Sequence, residues 1–270
     1  MNIKEQLNNL VEKYQKGGKK PYSEKHYDEK DIKQYYNTVL NSDWYRDRLI
    51  KNDYDKQYKI GVDKVIENRL NRVNSAYLRN VQKDDGVLNQ LTNFFTSGEL
   101  VPSGMGSYYN QDTAGITLIK SQLDKHKAHP RSVLTHEFGH AEVDGGISRT
   151  EENLLKEYLP TTTDKHDQSP IENKSDLNAI RYNLYKEGKF DPKTGKYKTK
   201  DGLFNKSLIP SIQEDATLKR ARRIYGDDKM VELLNTIASN NKVGNDNIMA
   251  QQGGIIRSQL DILANKYSTL

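Results

Sequence analysis

No run of apolar residues in this chain is longer than a few positions, and that limits its folds more than any other feature. A helix crossing a bilayer needs about 20 predominantly apolar residues, so no membrane span is expected. Burial must come from amphipathic elements whose apolar positions recur at helix or strand spacing. The 270 residues are ample for a packed core, but 34% are hydrophobic and 29% charged, so some segments must be thin or need a partner. The opening residues Met1–Gln6 lack the apolar stretch of an export signal, so no secretion is expected. The chain has no cysteine, which excludes disulfides, thiolate metal sites and cysteine nucleophiles. Any metal must bind through His, Asp or Glu, and the six histidines are His26, His126, His129, His136, His140 and His166.

The spacing predicts a mostly helical α+β fold. Residues 2–15 read as an amphipathic helix with Leu7, Leu10, Val11 and Tyr14 on one face, followed by a Gly-Gly linker. Helices are expected over 29–40 and 43–51. Residues 61–82 favour helix first, with 71–81 also readable as a strand. A short helix over 89–96 precedes a loop at 101–113 and a β-branched strand at 114–119. A helix then runs from about Ser132 to Val143, and another covers 151–159 before a polar loop at 160–169. Ser169-Pro170-Ile171-Glu172 is a helix start, with Ser as cap, Pro in the first turn and Glu three residues on. That helix should end at Gly188. Lys193–Lys196 reads as a hairpin turn, and helices 211–224 and 227–239 flank Gly226. A loop over 240–254 and a helix over 255–267 close the chain. The domain expectation is a helix and linker at 1–25, a main domain at 26–240, and a loop and helix at 241–270.

Charge is uneven. Between Lys189 and Arg223 there are ten basic residues and four acidic ones, while the whole chain carries +5. Such a strip reads either as a solvated face or as a contact for an acidic partner or nucleic acid. No RNP, zinc-finger or P-loop pattern accompanies it. A helix as short as residues 2–15 is marginal alone, so residues 1–16 are also expected to dock on a partner or on their own domain.

The segment His136-Glu137-Phe138-Gly139-His140 carries the chemistry. Residues four apart on a helix are neighbours, so two imidazoles can converge on one Zn²⁺ at about 2.0–2.1 Å. Glu137, beside the first ligand, is placed to take a proton from an activated water. A third ligand is needed. Position 146 is Gly, which removes the longer three-histidine version. Glu172-Asn173-Lys174-Ser175-Asp176 offers a Glu on a following helix, with an acid four residues on that can orient a ligand His. Glu172 is equally placed to close the Ser169 cap, and Glu151, Glu152, Glu157 and His166 are rival ligands. Arg181 and Tyr182 are candidates to stabilise an oxyanion, or else packing residues.

These residues resemble the gluzincin branch of the zincin metallopeptidases, closely at His136–His140 and more loosely at Glu172–Asp176. The resemblance implies a small sheet, an active-site helix and a helical C-terminal part across a cleft. It makes His136, His140 and Glu172 the zinc ligands and Glu137 the general base. The expected activity is hydrolysis of a protein or a peptide cross-link. A second resemblance, carried by Asp176–Gly188 and Ala250–Gly254, is to proteins of crAss-like phages of gut Bacteroidetes. It implies a phage-encoded protein found in the virion or the host cytoplasm. An alternative role is then a virion component of the tail or portal region that keeps the zincin fold without needed catalysis. Residues 1–16 and 189–223 would contact other virion proteins.

Overall fold

The first two helices sit where the apolar spacing puts them: α1 spans Glu29–Leu40 and α2 spans Asp43–Lys51. The structure, a computed structural model, describes residues 27–51, 61–82, 106–144, 166–211 and 216–238. The segments 2–15, 89–96, 151–159 and 240–267 lie outside the described residues, as do the rival ligands Glu151, Glu152 and Glu157. In α1, Ile32, Tyr35, Tyr36 and Leu40 form the buried face at helical spacing. Residues 61–82 hold both elements that the sequence left open. Helix α3, Val62–Ser75, ends at an extended Ala76, and strand β1 follows over Tyr77–Gln82.

Among the described residues the sheet has three strands in the order β1-β3-β2, with β2 at Tyr108–Asn110 and β3 at Gly115–Ile119. β3 is parallel to β1 and antiparallel to β2. All five residues of β3 are buried, and it lies between β1 and β2 in the sheet. The strand that borders the site is β2, in a stretch whose sequence reads as a loop. Between β3 and the next long helix lies a short helix, α4, Lys120–His126, which buries Leu123.

Helix α5, Pro130–Glu142, starts two residues earlier than expected, because His129 caps it: its Nδ1 accepts the Arg131 amide at 3.2 Å. Helix α6 spans Pro170–Lys186, capped by Ser169 and ended just before Gly188 in left-handed conformation. A two-stranded hairpin, β4 Phe190–Asp191 and β5 Lys196–Tyr197, follows. After a 3-10 turn at Lys206–Ser211 comes α7, Ala216–Ala238, broken at Gly226 (φ 68°, ψ 166°) as the sequence predicts.

α5 packs against β3, α3 and α6, and α6 also packs against α7. Gly139 of α5 and Ser175 of α6 approach each other closely. A Cβ at residue 139 would stand 2.8 Å from Ser175 Oγ and 3.1 Å from its Cα. A side chain there would require Ser175 to give way. Among the described residues no helix is long and apolar enough to cross a membrane. The basic strip is partly neutralised within the fold: Lys206 pairs with Asp228, Arg222 with Asp227, Arg223 with Asp167, and Arg220 with Asp167 and Asp176.

Candidate metal centre

His136 and His140 lie one turn apart on α5, with their Nε2 atoms 3.0 Å apart. Glu172, in the first turn of α6, brings its Oε2 to 3.1 Å from His136 Nε2 and 3.4 Å from His140 Nε2. The Gly139–Ser175 contact is what lets α6 come near enough for this. Among the described residues these three form the group of ligand atoms close enough to share an ion. Tetrahedral N and O ligands at 2.0–2.1 Å from a metal are separated by about 3.3–3.4 Å, so the triangle is close to the required size. Two imidazoles and a carboxylate suit a divalent transition metal.

The Ser169 cap does not consume the Glu172 carboxylate. Ser169 Oγ accepts the Glu172 amide at 3.4 Å, while the Ser169 amide donates to His166 O at 3.1 Å. The second half of a capping box is thus made by a carbonyl, and the Glu172 side chain turns to the histidines. Asp176, one turn later, holds Oδ1 at 2.8 Å from His136 Nδ1. That bond keeps a proton on Nδ1 and leaves Nε2 for the cluster.

The electrostatics follow from this crowding. Burial works to lower the His136 imidazolium, but hydrogen bonds to Asp176 and Glu172 outweigh it and raise its pKa to about 10. For Glu172, burial pushes upward, and the hydrogen bonds from His136 and His140 overcome it and hold the carboxyl well below its usual range. Glu137 is 4% exposed. Burial lifts its pKa above the ordinary value, against the pull of His136 and His140 and a hydrogen bond from the Tyr109 amide. A carboxylate raised in this way holds a proton more readily than an ordinary one, as a group that takes up and returns a proton must.

All four residues open on a cavity of about 710 Å³, bordered on its other side by Tyr108, Tyr109 and Asn110 of β2 and by Asp144 and His166. Tyr109 and Gln111 both donate to Asp144. Arg181 and Tyr182 are not part of this cavity, which corrects the expectation that they face an oxyanion. Tyr182 lies ten residues past Glu172, about 15 Å along the helix, and donates to Asp31 at 2.6 Å. Arg181 is buried on the other side of α6 and donates to Asn178 at 3.1 Å. His166 does reach the site: its Nε2 is 3.2 Å from Glu172 Oε2. Sequence reasoning missed Arg220, which binds Asp176 and His166 together, and β2, because neither has a local pattern. Compared with known proteins, the chain matches no family model, no curated protein and no solved structure.

Proposed function

We propose that the chain is a zinc-dependent metallopeptidase with His136, His140 and Glu172 as ligands and Glu137 as general base. The observation that carries this reading is Glu137: a buried carboxylate of raised pKa set directly beside a His-His-Glu triangle and open to the same cavity. The donor set alone also suits iron(II). A redox site has no use for the extra buried acid, whereas hydrolysis needs one. Zinc held there would supply a Lewis acid that acidifies water toward a pKa of about 7. Glu137 would accept a proton from the attacking water and return it to the leaving amine. Asp176 holds His136 in the required tautomer. The phage-encoded setting belongs to the same proposal. A virion component without catalysis would bind the metal and cleave nothing.

The test is elemental analysis of the purified protein, followed by zinc titration and a peptide-library assay. One zinc per chain is expected, lost in His136→Ala and His140→Ala, with cleavage abolished in Glu137→Gln while zinc is retained. Stoichiometric zinc in the double histidine variant, or iron in its place, would overturn the assignment. Zinc binding without any cleavage would favour the virion role.

A further inference from the structure

Four acidic side chains line the cavity, Asp112, Glu137, Asp144 and Glu172, and among the described residues no lysine or arginine does. A divalent ion on the triangle would offset Glu172 and Glu137 at most, which leaves the charges of Asp112 and Asp144. Asp144 is the more informative of the two. It stands four residues past His140, just beyond the last turn of α5, where the helix carbonyls already carry partial negative charge. A carboxylate is disfavoured at that end of a helix, yet among the described residues Asp144 forms no ion pair. Its partners are the Tyr109 hydroxyl at 3.3 Å and the Gln111 side-chain amide, both neutral donors. These bonds, from β2 and the turn after it, fix the carboxylate in the cavity wall and leave its charge in place. The residue is half-buried, so its charge is less screened than one at an open surface. Asp112 is exposed in the same wall, and among the described residues it has no hydrogen bond or ion pair.

We propose that Asp144 is a specificity-determining residue of this site and selects substrates with a basic side chain, lysine or arginine, close to the bond that is cut. A carboxylate offers about four acceptor positions, and Tyr109 and Gln111 take only part of them. The cationic nitrogen of the substrate takes up the rest and supplies the charge that the wall lacks. Asp112 adds a weaker attraction, because it is more exposed. An acidic side chain is turned away for the same reason. The inference rests on the metallopeptidase reading for the bond that is cleaved but not for the charge of the ligand.

Two measurements test it. In the first, the zinc-loaded protein is given a library of peptides acetylated at the N-terminus and amidated at the C-terminus, so that side chains alone carry charge. Lysine or arginine should be enriched at one position near the cleaved bond. A lysine peptide should exceed its norleucine counterpart about tenfold in kcat/KM. Asp144→Asn, which keeps an acceptor for Tyr109 or Gln111, should erase that ratio and leave the norleucine peptide within about threefold of the parent. A merely structural role would slow both peptides alike. Asp112→Asn should reduce the ratio only slightly. In the second, acetyl-Ala-Lys-Ala-amide is titrated into the zinc-free protein and followed by NMR. It should bind about tenfold more tightly than its norleucine version, with the advantage lost in Asp144→Asn and diminished by salt. A ratio near one in the parent in either measurement, or a ratio that survives Asp144→Asn, would overturn the inference, while cleavage of either peptide would leave the metallopeptidase reading standing. A protein that cleaves nothing but prefers the lysine peptide through Asp144 would remove that reading and keep the charge preference.

Discussion

At His136 two carboxylates outweigh burial, and the consequence is a proton that a metal must displace. In the metal-free protein the imidazolium persists to a pKa of about 10. Ligands bind metal only when deprotonated. Zinc uptake near pH 7 should therefore release about one proton, and apparent affinity should rise about tenfold per pH unit until His136 titrates. Calorimetry in buffers of different ionisation enthalpy checks this; an affinity flat with pH would show that His136 is already neutral. The same shifts set the stability of the metal-free protein. A raised histidine contributes fully below its unfolded value and is lost as pH rises through about 10. The depressed Glu172 contributes above its unfolded value and is lost as pH falls. Glu172 is also where the sequence was ambiguous, since Ser169-Pro-Ile-Glu172 spells a capping box as well as a ligand position. The structure has the Ser169 amide on His166 O, so Glu172→Ala should weaken zinc binding by orders of magnitude and remove, above the unfolded carboxyl pKa, the stability that pairing with His136 and His140 gives the metal-free protein. A loss of about 0.5–2 kcal/mol with zinc affinity intact would mean a cap instead. His166 was in view only as a rival ligand. Its link to Arg220 spans 54 positions and leaves no trace in local spacing.

At the scale of elements, the legible pieces were those that carry their own period or cap. α1 and α2 declare themselves by apolar spacing, α6 by its Ser-Pro-x-Glu start and terminal Gly188, and the break in α7 by Gly226. β2 did not, because three half-buried residues cannot show an alternation; its partner β3 and the helix beneath decide its conformation. α4 did not either, since Leu123 is its one buried residue. The pairing of α5 with α6, which assembles the metal triangle, was hinted at by Gly139 alone. That glycine supports a prediction of two opposing terms. Alanine there gains about 1 kcal/mol of helix propensity but drives a Cβ into the Ser175 backbone, and overpacking costs about 1–3 kcal/mol. Gly139→Ala should thus be destabilised overall, and it should also lose zinc affinity, because Glu172 rides on α6. Adding Ser175→Gly should restore much of the zinc affinity. Denaturant midpoints and zinc titrations on the two variants check both halves. Undiminished zinc binding in Gly139→Ala would show that the helix spacing does not set the triangle.

Across the whole molecule, the helix that presents His136 and His140 also carries Glu142, which anchors the fold from its other side. Glu142 Oε1 accepts from Tyr45 of α2 at 2.7 Å, Arg69 of α3 at 2.9 Å and Lys174 of α6 at 3.0 Å. Its Oε2 accepts from Asn178 at 3.3 Å, and Asn178 in turn receives Arg181. Four helices thus meet at one buried carboxylate, and Arg181 is a strut of this network. A sequence gives no sign of such a meeting, because the partners lie up to 97 positions from Glu142. Burial works to raise the Glu142 pKa, and Lys174 and Arg69 outweigh it and bring it below the ordinary value. Removing one partner of a buried ion network leaves cations uncompensated, so Glu142→Ala should cost about 3–5 kcal/mol. Glu142→Gln keeps the shape and removes the charge, and it separates the two contributions. A depressed carboxylate stabilises above its unfolded pKa and loses that contribution as pH falls through the folded one. The stability gap between the parent and Glu142→Gln should therefore be widest near neutrality and close under acid. Urea unfolding of the zinc-free proteins at a series of pH values measures the gap directly. A gap that stays constant from neutral to acid pH would mean that Glu142 acts through hydrogen-bond geometry alone and that its charge contributes nothing to holding the metal-bearing helix in place.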